Sequence, residues 1–324
     1  MSNDSSTRPV VCAGEILMDL IAAPGESLAT ASHFAIREGG APMNAAVALA
    51  RLGTPVRFCG VAGNDGFGER LRALLAREGV DTTSLRMANT APTSIAYAWR
   101  DERGDGHFQL IRMADTHLSA ADIGTARVGQ SAALLVGSVA LAAEPSRSAI
   151  TTAVSVARDA GVPVVFDINV RPTIWQSQDA LLAACEPVLQ AATVLKVSLD
   201  DTRHLWGAGT AEAVVERTRC YPASLVVITD GARGVAVADG ANGSIRRFAV
   251  EPVDAVDPTG AGDAFIAALV NRLVNGDWQS PSDDDVRFAM TAGALATTKQ
   301  GALTALPTLE ALEQHLSGRS KREG

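Results

Sequence analysis

The chain alternates between short runs of apolar residues and longer stretches in which apolar residues recur with helical spacing. Short runs bounded by turn residues are typical of buried strands. They occupy residues 9–15, 56–61, 134–139, 162–168, 193–197 and 225–229. Helices are predicted between several of them, for example at 42–53 and 145–160. This order favours an α/β fold with a parallel sheet covered by helices on both faces.

Two further runs, at residues 93–100 and 107–112, flank the polar segment 101–106 and predict a β-hairpin. A hairpin inside an α/β chain indicates a small accessory sheet. Residues 16–22 mix apolar and polar positions, and Asp19 is the one charged residue among them. Asp19 is therefore either a turn residue or a carboxylate that faces a ligand.

The most informative stretch is Asp257-Pro-Thr-Gly-Ala-Gly-Asp-Ala-Phe265, which predicts a glycine-rich loop running into a buried helix that ends at Asn275-Gly276. The first N–H groups of such a helix lack intrahelical partners, and the helix dipole favours an anion there, such as a phosphoryl group. Asp263 lies at this position. It is either an ordinary N-terminal cap or a base that takes a proton from a hydroxyl. The dipole is expected to lower the pKa of Asp263.

A second glycine-rich segment precedes the predicted helix at 42–53. Gly39 and Gly40 would let a ligand approach the backbone closely, and Asn44 in the first turn either caps the helix or points out of its mouth. The segment Gly63-Asn-Asp-Gly-Phe-Gly68 does not have the GxGxxG spacing of a dinucleotide loop, which argues against an NAD-dependent oxidoreductase. Asp65 within it is interpreted as a turn residue.

Polar residues also follow three predicted strands, where ligands of parallel sheets collect. In Asp167-Ile-Asn-Val-Arg171 the alternating side chains point the same way, and Arg171 offers a planar fork for oxygen atoms, although a capped loop fits equally. Ser198-Leu-Asp-Asp201 follows the run at 193–197. Asp230-Gly-Ala-Arg-Gly234 follows the run at 225–229 and predicts a turn between two strands.

Composition excludes several classes of function. The 324 residues are 47% hydrophobic and 20% charged, as in a soluble globular protein. A net charge of −8 argues against a nucleic-acid partner, which needs a basic face. No signal peptide or membrane-length apolar run is visible, so a cytoplasmic location without membrane contact is expected. The four cysteines and five histidines are dispersed, which predicts reduced thiols and no zinc site.

Two motifs carry a resemblance to a known family. The nine residues from Asp257 to Phe265 and the string GGAPMNA at 39–45 resemble the two signatures of the ribokinase-like (PfkB) carbohydrate kinases. The resemblance covers about residues 10–307, and no GxxxxGK[ST] motif of a P-loop kinase is present. It implies a single kinase domain over residues 1–324, a three-layer α/β/α sandwich with a mostly parallel central sheet. It also implies a small β-sheet lid whose strands are inserted near 16–36 and 93–112.

The resemblance further implies roles for individual residues. Asp263 would be the catalytic base, and the backbone of Gly260, Ala261 and Gly262 would cradle the transferring phosphoryl group. The sugar would be bound by Asp19, Gly39, Gly40, Asn44, Arg112 and Arg171, although an ordinary surface position is an equal alternative for Arg112. Asp65 would be a turn residue that faces the lid.

The same resemblance implies ATP and Mg²⁺ as cofactors. ATP would contact Lys196, Ser198, Asp201, Thr229, Gly231, Gly234, Gly260 and Gly262. Asp201 would reach Mg²⁺ through water, because Ser198 and Asp201 are shorter than the family's usual Asn and Glu. A monovalent cation such as K⁺ would lie beside Asp257. The partners would be a small sugar and a second copy of the chain that pairs through the lid.

Further residues bear on the identity of the sugar. The segment GSVALAAEPSR at 137–147 and the DxNxR pattern at 167–171 resemble bacterial fructokinases. Kinases of 2-keto-3-deoxygluconate share DxNxR, but they are expected to have Tyr where this chain has Leu110. D-Fructose is therefore the expected substrate, with 2-keto-3-deoxygluconate or another sugar or nucleoside as alternatives. A non-catalytic sugar-binding protein with a kinase fold is a further alternative.

Overall fold

The computed structural model describes residues 7–100, 106–240 and 244–320. Thirteen strands in these ranges form two sheets. The large sheet contains β1 (Val10–Ala13), β4 (Val56–Gly63), β5 (Asp81–Ala88), β8 (Ala133–Gly137), β9 (Val164–Asp167), β10 (Val194–Ser198), β11 (Leu225–Thr229), β12 (Val235–Asp239) and β13 (Ile245–Phe248). The small sheet contains β2 (Leu17–Ala22), β3 (Phe34–Gly39), β6 (Ser94–Arg100) and β7 (Gly106–Ile111).

The large sheet is mostly parallel. Its strand order is β13-β12-β11-β10-β9-β8-β1-β4-β5, and every pair from β11 to β5 is parallel. Only β12 and β13, at one edge, run antiparallel to their neighbours. The carboxyl ends of the parallel strands therefore share one edge of the sheet, the edge at which a ligand site is expected.

Helices cover both faces of this sheet. They are α1 (Ala41–Arg51), α2 (Gly66–Arg77), α3 (Ala120–Ala126), α4 (Ser146–Asp159), α5 (Gln178–Leu189), α6 (Leu199–Trp206), α7 (Ala211–Thr218), α8 (Ala261–Asn275), α9 (Asp283–Ala296) and α10 (Leu309–Ser320). In β1, Val10 and Cys12 join one hydrophobic cluster and Val11 and Ala13 join the other. Successive side chains of a strand point to opposite faces, so the continuous apolar run fits a strand buried on both sides.

The small sheet is the predicted lid. Its order is β3-β2-β6-β7, with β2 and β6 parallel at the centre. The register places residue 17 opposite residues 39 and 94, and residue 95 opposite residue 111. All four chain crossings between the lid and the large sheet therefore lie at one end of the lid. The connecting segment 23–33, between β2 and β3, lies at the opposite end.

The sequence-based expectations for the fold are confirmed, with a few differences. The predicted strands and the helices at 42–53 and 145–160 are present with shifts of a few residues. Asp19 lies inside β2, so the alternative of a turn residue is wrong. Strands β3, β5 and β13 and helices α3, α5, α6, α7 and α10 were not predicted individually. Most of the predicted turn at 101–106 lies outside the described residues.

Asp65 lies at the junction between the large sheet and the lid. Its carboxylate caps α2 by accepting from the N–H of Gly68 at 2.9 Å. It also accepts from the N–H and the hydroxyl of Thr93, both at 2.7 Å. Thr93 directly precedes lid strand β6, so the predicted turn residue does hold the base of the lid.

Two further properties bear on the excluded classes of function. Three cysteines, at positions 12, 59 and 185, are buried as free thiols, and Cys220 is exposed. Among the described helices, none combines the length and the apolar character that crossing a bilayer requires.

Candidate active site

A cleft of about 760 Å³ lies between the carboxyl edge of the large sheet and the lid. The lid contributes apolar and aromatic side chains from β6 and β7, including Ala96, Trp99, Phe108 and Leu110. The body contributes polar residues from the strand ends and from the starts of α1 and α8. They include Glu15, Asn44, Asn169, Arg171, Lys196 and Asp263, and the lid adds Asp19 from β2.

Asp263 lies in the first turn of α8 and faces this cleft. The left-handed conformation of Gly260 (φ 84°) starts the helix, and a Cβ there would lie 2.8 Å from the carbonyl oxygen of Ala302. The Oδ2 atom of Asp263 accepts from Nδ2 of Asn44 at 2.8 Å, which joins the starts of α8 and α1. The two sequence motifs, 219 positions apart, therefore meet in one cleft.

The expected effect of the helix dipole on Asp263 is wrong in sign. Burial raises the pKa of this carboxyl, and the hydrogen bond from Asn44 and the charges of Lys196 and Arg171 only oppose that rise. Desolvation penalises the ionised form more than these contacts favour it. Asp263 is consequently a stronger base than an exposed Asp, which suits proton abstraction from an alcohol.

Glycines 39 and 40 bring the backbone close to the cleft. A Cβ at Gly39 would lie 2.2 Å from Oδ2 of Asp19. Gly40 has a φ of 114°, and a Cβ there would lie 2.6 Å from the carbonyl oxygen of Glu15. Neither position has room for a side chain, so both glycines allow α1 to start directly beside β2.

The cleft contains buried polar atoms without a partner. In the part of the chain that the structure describes, Oε2 of Glu15 and Oδ1 of Asn44 are buried and accept no hydrogen bond. Burial also raises the pKa of Asp19 to about 7, an effect that Arg171 opposes. Unsatisfied acceptors are rare in folded proteins, and a ligand with several hydroxyl groups would satisfy these.

A buried ion pair lies under the loop that precedes α8. Nζ of Lys196 donates to both carboxylate oxygens of Asp167, at 2.9 and 3.1 Å. A Cβ on Gly262 would lie 2.9 Å from the same Nζ atom. The ammonium group therefore lies at the loop of Gly260, Ala261 and Gly262, where it can face a second anion.

A separate apolar cavity of about 520 Å³ lies on the other side of this loop. Its walls come from β11 and β12, the segment 250–255, α8 and α9. Pro258 and Gly262 line both cavities. A polar cleft and an apolar pocket that meet at a helix N-terminus form a site for two substrates, one rich in hydroxyl groups and one with a flat apolar group and an anionic end.

Comparison with known proteins agrees with this geometry. The sequence profile of the pfkB family carbohydrate kinases matches residues 7–309. The chain belongs to the pfkB family of carbohydrate kinases. This pfkB kinase is 39% identical to a fructokinase from Salmonella typhimurium over 278 residues, which cover 83% of this chain and 88% of the relative. It is 35% identical to fructokinase-1 of Zea mays over 309 residues, 92% and 94% of the two chains.

Solved structures of similar proteins extend the comparison to ligands. The pfkB kinase matches a fructokinase from Vibrio cholerae O395, bound to fructose, ADP and a potassium ion, with a TM-score of 0.84 and 34% identity. The match covers 96% of this chain and 98% of that one. An aminoimidazole riboside kinase from Salmonella enterica, bound to aminoimidazole riboside and an ATP analogue, matches with a TM-score of 0.80 and 28% identity over 95% and 99% of the chains.

Most of the predicted sugar-binding residues lie in the polar cleft. Asp19, Gly40, Asn44 and Arg171 line it, and Gly39 lies directly behind Asp19. Arg112 is not among the lining residues. Its Nε and Nη2 atoms donate to Asp115 at 2.8 and 2.5 Å, so the guanidinium braces the segment that follows β7.

Ser198 and Asp201, which are predicted to contact the nucleotide, have structural roles in the fold. The carboxylate of Asp201 accepts from the N–H and hydroxyl of Ser198 and from the N–H of Val170, at 2.7 to 2.9 Å. Ser198 and Asp201 form the capping box of α6. The contacts of Ser198 and Asp201 with ATP, and of Asp201 with Mg²⁺ through water, remain predictions.

The remaining predicted nucleotide residues lie near the apolar pocket. Thr229 and Gly231 line it, and Gly262 lies at its junction with the cleft. Gly234 has a φ of 133° and packs against the carbonyl oxygen of Phe248, so it shapes the turn between β11 and β12. The N–H of Ala261 donates to the carbonyl oxygen of Pro258 at 3.2 Å. This N–H group is therefore less available than predicted as a hydrogen-bond donor to the phosphoryl group.

Asp257 organises the loop before α8. Its Oδ1 atom accepts from the N–H and hydroxyl of Thr259, and its Oδ2 atom accepts from the N–H of Gly301 at 2.9 Å. These bonds connect the loop to the C-terminal segment 297–306. The monovalent cation beside Asp257 remains a prediction.

Several residues of the site were not assigned from the sequence. Glu15 is buried between β1 and β2, Asp167 pairs with Lys196, and Trp99 and Leu110 face the cleft from the lid. A charged residue directly after a buried strand was the signal available for Glu15. The lid side chains carried no such signal, because alternation along a strand does not show which face a ligand contacts.

Proposed function

We propose that this kinase transfers the terminal phosphoryl group of ATP to a primary hydroxyl of D-fructose. The observation that carries the proposal is the position of Asp263, which faces the polar cleft at the loop shared with the apolar pocket. A hydroxyl in the cleft and a terminal phosphate reaching over Gly262 would meet beside this carboxylate. The phosphoryl donor is ATP, with Mg²⁺ carried on its phosphates and waters.

The residues have distinct parts in the proposed reaction. Asp263 accepts the proton of the attacking hydroxyl, and Asn44 fixes the orientation of the carboxylate. The N-terminus of α8 and the ammonium of Lys196 stabilise negative charge at the shared loop. The apolar pocket beside Phe265, Met290 and Ala294 accepts the adenine. A bound K⁺ at Asp257 and a homodimer through the lid belong to the same proposal.

The charges in the cleft favour a neutral sugar. Glu15, Asp19 and Asp263 are three carboxylates that line it. Arg171 and Arg112 oppose them, and the charge of Lys196 is shared with Asp167. An acidic sugar such as 2-keto-3-deoxygluconate would be repelled by this set. The fructokinase names of the relatives, and the fructose bound to the Vibrio cholerae enzyme, support the same choice.

A coupled assay with ATP, Mg²⁺ and a panel of sugars tests the substrate. We expect fructose to give the highest kcat/KM among fructose, 2-keto-3-deoxygluconate, ribose and nucleosides. A preference for 2-keto-3-deoxygluconate would contradict the proposal and would give Arg171 a carboxylate-binding role. Absence of sugar-dependent ATP consumption with every compound would support a non-catalytic sugar-binding protein.

The raised pKa values predict the pH dependence. Asp263 must be ionised to accept a proton, and Asp19, whose pKa is raised to about 7, is expected to bind the sugar as a carboxylate. Lowering the pH protonates both groups, so kcat/KM should fall below about pH 7, more steeply than for one ionisation. In the variant Asp19→Asn the acid limb should become less steep by one proton, and Asp263 and Glu15 still titrate. A profile that stays flat down to about pH 5, where ordinary carboxyls are still ionised, would contradict this.

A further inference from the structure

Glu15 is a buried carboxyl in the cleft that the proposed reaction leaves without a role. It is 3% exposed and lies in the connection from β1 to lid strand β2. Its Oε1 atom accepts from the N–H of Ala41, the first residue of α1, at 3.2 Å. One carboxylate oxygen is therefore fixed by the helix start.

The second oxygen of Glu15 has no such partner. Within the described ranges, Oε2 is buried and accepts no hydrogen bond, although Glu15 lines the polar cleft. Arg112 and Arg171 are close enough to lower its pKa, but burial outweighs them and raises it to about 7. An oriented, desolvated acceptor at a ligand cleft is a binding group whose partner is the ligand.

A second unsatisfied acceptor lies at the same helix start. Asn44 donates through Nδ2 to Asp263, and its Oδ1 atom is buried without a partner. Two unsatisfied acceptors, on Glu15 and on Asn44, therefore lie at the start of α1, where the amide of Asn44 also holds the carboxylate of Asp263. A hydroxyl has one proton to donate, so the hydroxyl that loses its proton to Asp263 cannot also donate to Glu15.

We propose that Glu15 is a specificity-determining residue whose Oε2 atom accepts a hydrogen bond from a sugar hydroxyl that is not phosphorylated. The proposal rests on the proposed fructose kinase activity and adds a residue to its sugar site. In this proposal, Glu15 selects sugars that carry a hydroxyl group at one particular carbon atom. A sugar without that hydroxyl leaves Oε2 buried and unpaired, which lowers its kcat/KM.

The variant Glu15→Gln isolates this oxygen. The amide oxygen of Gln can keep the hydrogen bond to Ala41, and its NH₂ group then replaces Oε2, so an acceptor becomes a donor at the same position. Assays near pH 8, about one unit above the pKa of about 7, keep the parent carboxyl ionised. Glu38→Gln is the matched control, because Glu38 is a carboxyl near the end of lid strand β3 that pairs with Arg70 at 2.8 Å.

The experiment measures kcat and KM of the parent and both variants with fructose and with its monodeoxy analogues. For the parent we expect one analogue to lose about 10²-fold or more in kcat/KM, because a polar site rejects a ligand that lacks its hydrogen-bonding group. Glu15→Gln should raise KM for fructose at least about tenfold with a smaller change in kcat. It should also abolish the discrimination against that one analogue, while Glu38→Gln keeps it.

Two outcomes would overturn the assignment. If Glu15→Gln keeps the KM of fructose within about twofold, the oxygen does not bind the sugar. If it lowers kcat/KM by the same factor for fructose and every analogue, Glu15 acts only on the structure of the cleft. Failure of the proposed function looks different, because the parent would then not phosphorylate fructose at all. In that case the same three proteins are compared with the sugar that the parent does phosphorylate and with the monodeoxy analogues of that sugar.

Discussion

Replacing Asp263 by Asn should lower kcat by about 10²–10⁴-fold, the usual contribution of a general base. The amide cannot accept a proton from the sugar hydroxyl at neutral pH. Its oxygen can still accept the hydrogen bond that Asn44 donates at 2.8 Å, so the cleft should keep its shape. We therefore expect unchanged thermal unfolding and nearly unchanged binding of fructose, measured by calorimetry without nucleotide.

Asn44→Asp provides a second comparison for this base. It would place a like charge beside Asp263 and raise the pKa of the carboxyl further, so the acid limb of the pH profile should move to higher pH. Residual activity of Asp263→Asn within about tenfold of the parent would remove Asp263 from the role of base, since a base contributes more than that.

Replacing Lys196 by Met should affect both stability and turnover. The change leaves the Asp167 carboxyl buried without its cation, and breaking a buried ion pair in this way typically costs about 3–5 kcal/mol. It also removes the ammonium at Gly262, where charge develops on the phosphoryl group, so kcat should fall by about 10²–10³-fold. Urea unfolding and the coupled assay measure the two effects separately.

The double variant Asp167→Leu/Lys196→Met distinguishes the two roles. Replacing both partners by apolar residues removes the unpaired charge, so much of the lost unfolding free energy should return. Turnover should stay low, because the cation is still absent. If the unfolding free energy and the turnover both recovered in the double variant, the ion pair would have only a structural role. As a control, Arg158→Met breaks an exposed pair with Asp159 and should change the unfolding free energy by less than about 1 kcal/mol.

The layers of the fold were predictable because the signal repeats along the chain. A strand buried on both faces needs a continuous apolar run, as β1 and β11 show, and the intervening helices need apolar residues with helical spacing. Strand β3 was harder to find, because it is only half buried and contains Arg37 and Glu38. Short amphipathic helices such as α6 and α7 were missed since eight residues carry little periodicity.

The centre of the site was predictable for a different reason. Glycines at 39, 40, 260 and 262 record close approaches of the backbone that leave no room for a Cβ, and such positions are visible in a sequence. The roles of carboxylates were less predictable. Asp201 and Asp263 each follow a buried strand or loop near a helix start, yet one caps α6 and the other faces the cleft. Only the direction of the side chain separates the two cases.

Because the lid is attached at one end, a small rotation at that end would displace the free end by a larger distance. Strand β2 has six residues, which at about 3.3 Å each spans about 20 Å from the anchored end to the tip. A rotation of about 10° where Asp65 holds Thr93 would therefore carry the tip by about 3.5 Å while the residues beside Asp263 barely move. Such a rotation would open the cleft at the tip of the lid, and a fluorescent label on the segment 23–33 would follow it with the reacting groups undisturbed.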